Sequence, residues 1–314
     1  MPCITTVTLN PALDEAVALE TLTLGGKNRC SLDSLDPGGK GVNASRVIRR
    51  LGRATLALGF AGGLTGELLR NNLDSEGVPN AFVRVGESTR VNIMIYERGS
   101  GRRSRLYLPG PHVTEEALRE IESRLSEVPQ QSVVVLGGSV PPGVAPTVYR
   151  DLVHALNEGH VKCIVDTSGE ALAAVLPAHP DLVKPNIEEA SALLQRALLD
   201  DEDVLAAARE LRELGAEQVV ISQGAQGAVG VNAAGAWKAV PPRIVAYSTV
   251  GSGDSMVAGL AIAMDEGGSL VDGMRLGSAA GAATAMISGT QLCRAQDVHA
   301  LLDRIDVHEL LARV

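Results

Sequence analysis

Ser248-Thr249-Val250-Gly251-Ser252-Gly253-Asp254-Ser255-Met256 joins small residues, a carboxylate and the start of an apolar run that continues to Met264. The run predicts a buried helix that begins near Gly253. Since the first N–H groups of a helix lack partners within it and its dipole is positive there, the glycine turn suits an anion. A carboxylate beside an anion is repelled unless it takes a proton from a nucleophile. The stretch therefore predicts an anion site with Asp254 as a base, or an ordinary loop with an Asp cap.

The composition excludes several classes of protein. The chain has 314 residues, enough for one large core or for a domain with a smaller appendage, and it carries a net charge of −9. Its aromatic residues are one Trp, four Tyr and two Phe. An acidic chain with few aromatic rings disfavours a nucleic-acid partner. Substrate anions would therefore need local clusters of Lys or Arg.

The cysteines and the N-terminal sequence predict a cytoplasmic protein. The four cysteines are far apart, so neither zinc nor a disulfide framework is expected. The N-terminus lacks the basic start and long apolar run of a signal peptide. The longest uncharged stretch, residues 276–293, is rich in Gly, Ala, Ser and Thr, which favours a tightly packed internal helix over a membrane span.

Apolar β-rich runs alternate with helical patterns along most of the chain. Predicted strands lie at 4–9, 55–60, 132–136, 161–165 and 218–221, and predicted helices at 42–51, 115–125, 146–157, 188–195 and 203–214. Such alternation predicts an α/β fold with a mostly parallel sheet. Two segments, 15–36 and 89–108, break the pattern and predict a small β-sheet that could act as a lid, a dimer contact or both. The main domain would then comprise residues 1–14, 37–88 and 109–314.

A second glycine-rich stretch, Pro37-Gly38-Gly39-Lys40-Gly41-Val42-Asn43-Ala44-Ser45, also precedes a predicted helix. Backbone can approach a ligand closely there, and Asn43 can offer an amide to a hydroxyl, although a simple turn explains the glycines equally. The P-loop spacing is absent, which disfavours a P-loop ATPase. Asp14 follows the first predicted strand, at the edge where ligands of α/β sheets bind, and it is either a sugar-hydroxyl partner or a solvated turn residue.

Asn186 and Glu189 lie three residues apart in the first turn of a predicted helix. Their oxygens would share one helix face and suit Mg²⁺, which takes few protein ligands together with water and phosphate. The same pair is typical of a capping box, and the two interpretations are compatible. The cations available for a phosphate are Lys27, Arg29, Arg90, Arg103 and Arg105, each of which alone is also typical of a solvated surface.

These motifs, in this order, resemble those of the ribokinase-like sugar kinases of the PfkB family over nearly the entire chain. Residues 38–43 resemble the family's first signature and residues 249–254 its second, with the stretches 138–143 and 186–189 in the expected places between them. Thr8-Leu9-Asn10-Pro11-Ala12-Leu13-Asp14 is similar to the branch that phosphorylates sugar phosphates. The resemblance implies a three-layer α/β/α fold with a mostly parallel central sheet and a β lid, and a homodimer formed through that lid.

The resemblance also implies roles for single residues. Asp254 would deprotonate a sugar hydroxyl, and Gly251, Ser252 and Gly253 would form an anion hole for the transferred phosphoryl group. The residues implied to hold the sugar or its phosphate are Asp14, Lys27, Arg29, Gly38, Gly39, Lys40, Asn43, Arg90 and Ser139, with Lys27 acting from the partner subunit. Those implied to bind ATP are Lys184, Asn186, Ser222, Gly224, Gly227, Ser248 and Val250, while Asn186 and Glu189 organise Mg²⁺ through water.

The implied activity is ATP-dependent phosphorylation of a phosphorylated ketohexose, with fructose 6-phosphate as the expected acceptor. Fructose 1-phosphate and tagatose 6-phosphate are alternatives, and a nucleotide- or sugar-binding regulator is the alternative outside the enzymes. Lys40 and Ile287 depart from the members that act on fructose 6-phosphate, which have glycine and asparagine at these positions. The two departures bear on the choice of sugar and on the adenine contacts.

Overall fold

The computed structural model describes residues 4–310. The strands are β1 (Ile4–Thr8), β2 (Ala12–Leu19), β3 (Ser31–Gly38), β4 (Thr55–Ala61), β5 (Asn80–Arg84), β6 (Arg90–Glu97), β7 (Arg103–Leu106), β8 (Val133–Gly137), β9 (Lys162–Asp166), β10 (Leu182–Val183), β11 (Gln218–Ser222), β12 (Ala228–Asn232), β13 (Gly235–Val240) and β14 (Asp306–Glu309). The α-helices are α1 (Lys40–Arg50), α2 (Gly63–Ser75), α3 (Glu115–Ser126), α4 (Val148–Glu158), α5 (Gly169–Val175), α6 (Ile187–Leu194), α7 (Asp201–Glu213), α8 (Ser252–Asp265), α9 (Leu270–Ala285) and α10 (Ala295–Leu302).

Ten of these strands form one central sheet in the order β14-β13-β12-β11-β10-β9-β8-β1-β4-β5. In this order, all neighbouring strands from β11 across to β5 pair in parallel. Strands β12, β13 and β14 continue the sheet beyond β11 in antiparallel pairs. In the parallel part, Thr8 pairs with Gly137 and Gly137 pairs with Asp166. The carboxyl ends of neighbouring strands therefore lie side by side at one edge.

Helices cover both faces of the central sheet. Alternate residues of β8 belong to two different apolar clusters, Leu136 to one and Val135 to the other, as expected when successive side chains point to opposite faces. The first cluster includes Ile121 of α3 and Leu211 of α7, and the second includes Leu260 of α8. The predicted three-layer α/β/α fold is confirmed.

Helices α8 and α9 pack closely because glycines face each other at their contact. A Cβ atom on Gly259 would clash with the backbone nitrogen of Gly277, so neither neighbour leaves room for a side chain at that point. The small residues from 276 to 285 thus belong to an internal helix, as predicted, whereas residues 286–293 of the same uncharged stretch lie beyond its end. No helix within residues 4–310 is long and apolar enough to cross a membrane.

A separate sheet of four strands, in the order β3-β2-β6-β7, forms what we call the lid sheet. Strands β2 and β6 pair in parallel, whereas the two outer pairs are antiparallel. One expectation was wrong here: Asp14 does not end a turn after β1 but lies inside β2, opposite Asp36 on β3 and Asn92 on β6. The chain needs only residues 9–11 to leave the central sheet, so the lid sheet begins at Ala12 rather than at residue 15.

Candidate active site

Polar side chains collect at the carboxyl edge of the parallel strands. Asp166 is the last residue of β9, Lys184 directly follows β10, and Ser222 ends β11. The loop between β3 and α1 reaches the same edge, because the Thr8 hydroxyl at the end of β1 accepts a hydrogen bond of 2.9 Å from the Val42 backbone N–H. This edge is where ligands of open α/β sheets bind.

The glycine turn before α8 takes the conformation that its sequence predicts. Gly251 has a φ of 76°, in the left-handed region, and a Cβ atom there would clash with the side chain of Leu292. Helix α8 begins at Ser252, which places Asp254 in its first turn. The Asn43 side-chain amide donates a hydrogen bond of 2.8 Å to Asp254 Oδ2. The two glycine-rich stretches are thereby brought together at one carboxylate.

The surroundings of Asp254 raise the pKa of its carboxyl group. Burial raises the pKa of Asp254 to about 6, and the negative charge of Asp166 acts in the same direction. The hydrogen bond from Asn43 and the charges of Lys40 and Lys184 oppose that rise. A carboxylate with a pKa near 6 is ionised at neutral pH and still basic enough to take a proton from a hydroxyl.

Asp14 lies on the neighbouring side of this site, held between strands of the lid sheet. Its Oδ1 atom accepts a hydrogen bond of 2.8 Å from the Asn92 side chain, and burial raises the pKa of Asp14 against that bond and the charge of Arg90. A Cβ atom on Gly38 would clash with the Asp14 carboxylate, and one on Gly39, whose φ is 112°, would come within 2.7 Å of Thr8. Glycine is therefore required at both positions, because the backbone at Gly38 lies against the Asp14 carboxylate and the backbone at Gly39 lies against Thr8.

Arg90 and Ser139 meet near Asn10, beside the Asp14 carboxylate. The Arg90 guanidinium donates hydrogen bonds to the carbonyls of Asn10, at 2.8 Å, and Leu108, at 3.0 Å, and lies 3.4 Å from Ser139 Oγ. The Asn10 amide donates to the same Ser139 hydroxyl at 3.2 Å. Asn10 and Asn92 were not predicted as site residues, and only their positions beside Arg90 and Asp14 reveal them.

Lys27 and Arg29 lie elsewhere, exposed in the segment that joins β2 to β3. This segment begins after Leu19, the last residue of β2. The strand covers roughly 17 Å between Asp14 and Leu19, at about 3.4 Å per residue. Within one chain the two cations thus stand at the far end of the lid sheet from Asp14. Arg103 stacks on the Tyr96 ring, 5.4 Å from its centre.

A cluster of lysines and carboxylates lies between the start of α1 and the start of α6. Lys40 Nζ is 2.8 Å from Asp166 Oδ1 and 3.1 Å from Glu189 Oε1, and Lys184 Nζ is 3.5 Å from the same Asp166 atom. Lys40 was expected to hold the sugar, whereas here its ammonium contacts the two carboxylates. Asp166 was not predicted, although its place at the end of a parallel strand is the signal that singled out Asp14.

The capping box at the start of α6 is present. Asn186 Oδ1 accepts the Glu189 backbone N–H at 2.8 Å, and Glu189 Oε2 accepts the Asn186 N–H at 2.9 Å. Because Lys40 occupies the other Glu189 oxygen, the pair does not fit Mg²⁺ as direct ligands. Each oxygen retains a lone pair for a metal-bound water. Among residues 4–310, no group of three or more His, Cys, Asp or Glu side chains could hold a metal ion.

Five of the residues expected to bind ATP lie between the end of β11 and the start of α8. They are Ser222, Gly224, Gly227, Ser248 and Val250. Gly224 and Gly227 have φ values of 59° and 93°, and a Cβ atom on Gly227 would clash with a carbonyl of β13. The Ser248 hydroxyl donates to the Gly289 carbonyl at 2.7 Å and accepts the Val250 N–H at 3.3 Å. Ser248, Val250 and Gly289 also line a cavity of about 420 Å³ between this loop and the lid sheet.

Several buried polar atoms near Asp254 or near Asp14 have no hydrogen-bond partner among the described residues. They are Asn43 Oδ1, Arg90 Nε, Asn92 Oδ1, Asp166 Oδ2 and Ser252 Oγ. Buried polar atoms in folded proteins are normally paired, so this concentration marks a place where a polar ligand supplies the partners. A carboxyl group with a raised pKa, a helix N-terminus that suits an anion and a polar pocket are the parts that phosphoryl transfer to a hydroxyl requires. The fold and the site together define a small-molecule kinase of the α/β class.

Comparison with known proteins agrees with this class. The family model of the pfkB family carbohydrate kinases matches residues 7–297, and the chain belongs to that family. It is 40% identical over 304 residues to the ATP-dependent 6-phosphofructokinase isozyme 2 of Escherichia coli (strain K12), covering 95% of this chain and 98% of that protein. It is 34% identical over 306 residues to the 1-phosphofructokinase of Borreliella burgdorferi, covering 97% and 98%.

The structural comparison gives the same fold. The crystal structure of phosphofructokinase-2 from Escherichia coli in complex with potassium matches with a TM-score of 0.93 and 40% sequence identity, covering 97% of this chain and 99% of that chain. The predicted resemblance to the PfkB family and the ribokinase-like fold are both confirmed.

Proposed function

We propose that this protein is an ATP-dependent kinase of a phosphorylated ketohexose, converting fructose 6-phosphate to fructose 1,6-bisphosphate. The observation that carries the proposal is the carboxylate of Asp254, which lies in the first turn of α8 and accepts a hydrogen bond of 2.8 Å from Asn43. This position supports a role for Asp254 as a base beside a turn that suits an anion. A binding module has no use for a base there, which disfavours a regulator.

The proposed reaction is one proton transfer and one in-line displacement. The Asp254 carboxylate accepts the proton of the sugar hydroxyl as its oxygen attacks the γ-phosphorus of ATP. A bond forms between that oxygen and phosphorus, the bond to the bridging oxygen breaks, and ADP departs with the electron pair. The transition state spreads negative charge over the transferred group, so the N–H groups at Gly251, Ser252 and Gly253 stabilise it.

The sugar would lie between the lid sheet and the β3–α1 loop. In this proposal Asp14, Gly39, Asn43 and Ser139 hold its hydroxyls, and Gly38 allows the Asp14 carboxylate its close approach. Arg90 would meet the phosphate of the acceptor. Its guanidinium already lies 3.4 Å from Ser139 Oγ and retains a buried nitrogen without a partner among the described residues, which suits an anionic ligand.

A homodimer through the lid sheet would complete this phosphate site. Lys27 and Arg29 stand too far along the lid sheet to reach it within one chain, so they would act from the partner subunit. Leu32 and Leu106, on the outer strands of the lid sheet, are 61% and 52% exposed, which favours a contact that covers them.

The nucleotide would bind across the ends of β10, β11 and the turn before α8. The proposed contacts are Lys184, Asn186, Ser222, Gly224, Gly227, Ser248 and Val250. Asn186 and Glu189 would meet Mg²⁺ only through its water molecules, because the capping box and Lys40 use their direct contacts. When bound with ATP, Mg²⁺ neutralises phosphate charge and orients the chain of phosphates.

Asp254→Asn tests the mechanism. We expect it to retain sugar and ATP binding while turnover falls by about 10²–10⁴, the usual contribution of a general base. The matched control is Asp265→Asn, the same change at the last residue of the same helix, which should leave turnover within about twofold of the original. Undiminished turnover in Asp254→Asn would contradict the mechanism.

A panel of acceptors tests the substrate. Turnover with fructose 6-phosphate, fructose 1-phosphate, tagatose 6-phosphate and unphosphorylated fructose is compared under one set of conditions. We expect fructose 6-phosphate to give the highest kcat/KM and fructose the lowest. Preference for fructose 1-phosphate or tagatose 6-phosphate would keep the mechanism and replace the sugar, whereas no turnover with any acceptor would favour a regulator.

A further inference from the structure

Lys40 is one of two lysines in a cluster of acidic side chains at the carboxyl edge of the parallel strands. Its ammonium lies between two carboxylates of different elements, 2.8 Å from Asp166 Oδ1 and 3.1 Å from Glu189 Oε1. The Asp166 side chain is 2% exposed and that of Glu189 is 15% exposed, so solvent screens the contacts only in part. Burial opposes the charge on Lys40, yet the two carboxylates outweigh it and raise the pKa of the ammonium above its usual value.

The charges in this cluster leave little attraction for a second cation. Asp166, Glu189 and Asp254 carry three negative charges, and Lys40 and Lys184 carry two positive ones, so the cluster has a net charge of −1. A bound divalent cation would leave it at +1. Without Lys40 the cluster would be at −2, and the same cation would neutralise it. The lysine therefore lowers the affinity for a free divalent cation in two ways, by contacting one oxygen of each carboxylate and by its positive charge.

We propose that Lys40 is the resident cation of the Asp166–Glu189 pair and excludes free divalent metal from it, so that metal enters this kinase only together with nucleotide phosphates. The exclusion follows from the described contacts alone. The entry with nucleotide rests in addition on the proposed ATP site. A metal titration without nucleotide or sugar therefore tests the exclusion whether or not the proposed reaction is correct.

The probe is Mn²⁺ alone, with the free ion counted by its electron paramagnetic resonance signal. We expect the unaltered protein to bind Mn²⁺ weakly, and Lys40→Met to bind it at least tenfold more tightly, a difference of about 1.4 kcal/mol. Lys162→Met is the matched control, since it removes the same charge at the opposite end of the strand that ends with Asp166. The double variant Lys40→Met with Glu189→Gln should lose the gain.

A second variant, with the Tm as its readout, tests the proposal if Lys40→Met folds poorly. Lys40→Gln keeps a hydrogen-bond donor without the charge, and in this variant Mn²⁺ should raise the Tm by several degrees more than it raises that of the unaltered protein. Equal Mn²⁺ affinity before and after removal of the Lys40 charge would overturn the proposal. So would an equal gain in Lys162→Met, or a gain that survives the loss of the Glu189 carboxylate.

Discussion

The hydrogen bond from Asn43 to Asp254 should set the pH at which the enzyme loses activity. The active form of a general base is the carboxylate, so kcat/KM falls as the pH drops below its pKa, which is about 6 for Asp254. Asn43 stabilises that carboxylate through a contact of 2.8 Å. Asn43→Ala removes this stabilisation while burial and the Asp166 charge remain, so the pKa of Asp254 must rise.

The size of the rise follows from the type of bond. A hydrogen bond to a charged group contributes about 1.5–3 kcal/mol, and a change of one in a pKa corresponds to about 1.36 kcal/mol. The pKa of Asp254 in Asn43→Ala should therefore move from about 6 to about 7–8. At pH 7 the ionised fraction would fall from about nine-tenths to between one-half and one-tenth.

The measurement is kcat/KM for the sugar from pH 5 to pH 9, normalised to the plateau of each variant. Normalisation separates the position of the acid limb from the loss of sugar binding that Asn43→Ala also causes. Asp166→Asn should shift the pH profile in the opposite direction. The negative charge of Asp166 raises the pKa of Asp254, so its removal should move the acid limb of kcat/KM below pH 6. An unmoved limb in Asn43→Ala, or equal movement in both variants, would refute the assignment of the limb to Asp254.

Three further variants test residues around the site. Glu76→Ala should cost about 1–3 kcal/mol of unfolding free energy in urea, because it leaves Asp36, at 3.5 Å, as the remaining carboxylate of the buried Arg46 guanidinium, whereas Glu67→Ala, an exposed change in the helix that Glu76 follows, should stay within about 0.5 kcal/mol. Arg90→Ala should raise the KM for the phosphorylated sugar much more than that for ATP, and equal effects would remove Arg90 from the sugar-phosphate site. Gly227→Ala should lower the Tm, because a side chain there meets both a φ of 93° and a backbone clash; an unchanged Tm would contradict this.

The central sheet could be predicted because its signals are periodic and local. Buried strands and amphipathic helices alternate, and each predicted strand and helix named from that alternation lies within a few residues of an observed one. Helix α2 was not predicted, since its sequence begins Gly63-Leu64-Thr65-Gly66 and only Gly66, Leu69 and Leu73 of the helix are buried. The packing of α2 against its neighbours, which the sequence does not display, stabilises it.

The contacts in the site were harder to predict than its residues. Asn43 and Asp254 were each singled out, but 211 positions separate them, and nothing local indicates the bond between them. Lys40 shows the same limit. Its place in a sugar-binding motif predicted contact with the sugar, while its long side chain reaches two carboxylates supplied by β9 and α6. A sequence motif gives the position of a residue along the backbone, whereas the partners of a long, flexible side chain depend on the three-dimensional fold.

The corrected position of Asp14 changes how the site is built. Asp14 pairs with Asn92 within the lid sheet, and Arg90 begins the same neighbouring strand, so these two predicted sugar contacts belong to the lid sheet rather than to the central one. Asp254, in contrast, stands on α8 of the main domain. In the proposed reaction, the distance between a sugar hydroxyl and the Asp254 carboxylate would therefore depend on how the two sheets pack against each other. Two short connections join the lid sheet to the main domain here, residues 9–11 between β1 and β2 and Gly39 between β3 and α1. In the proposed reaction the lid sheet would therefore be part of the catalytic geometry as well as a cover over it.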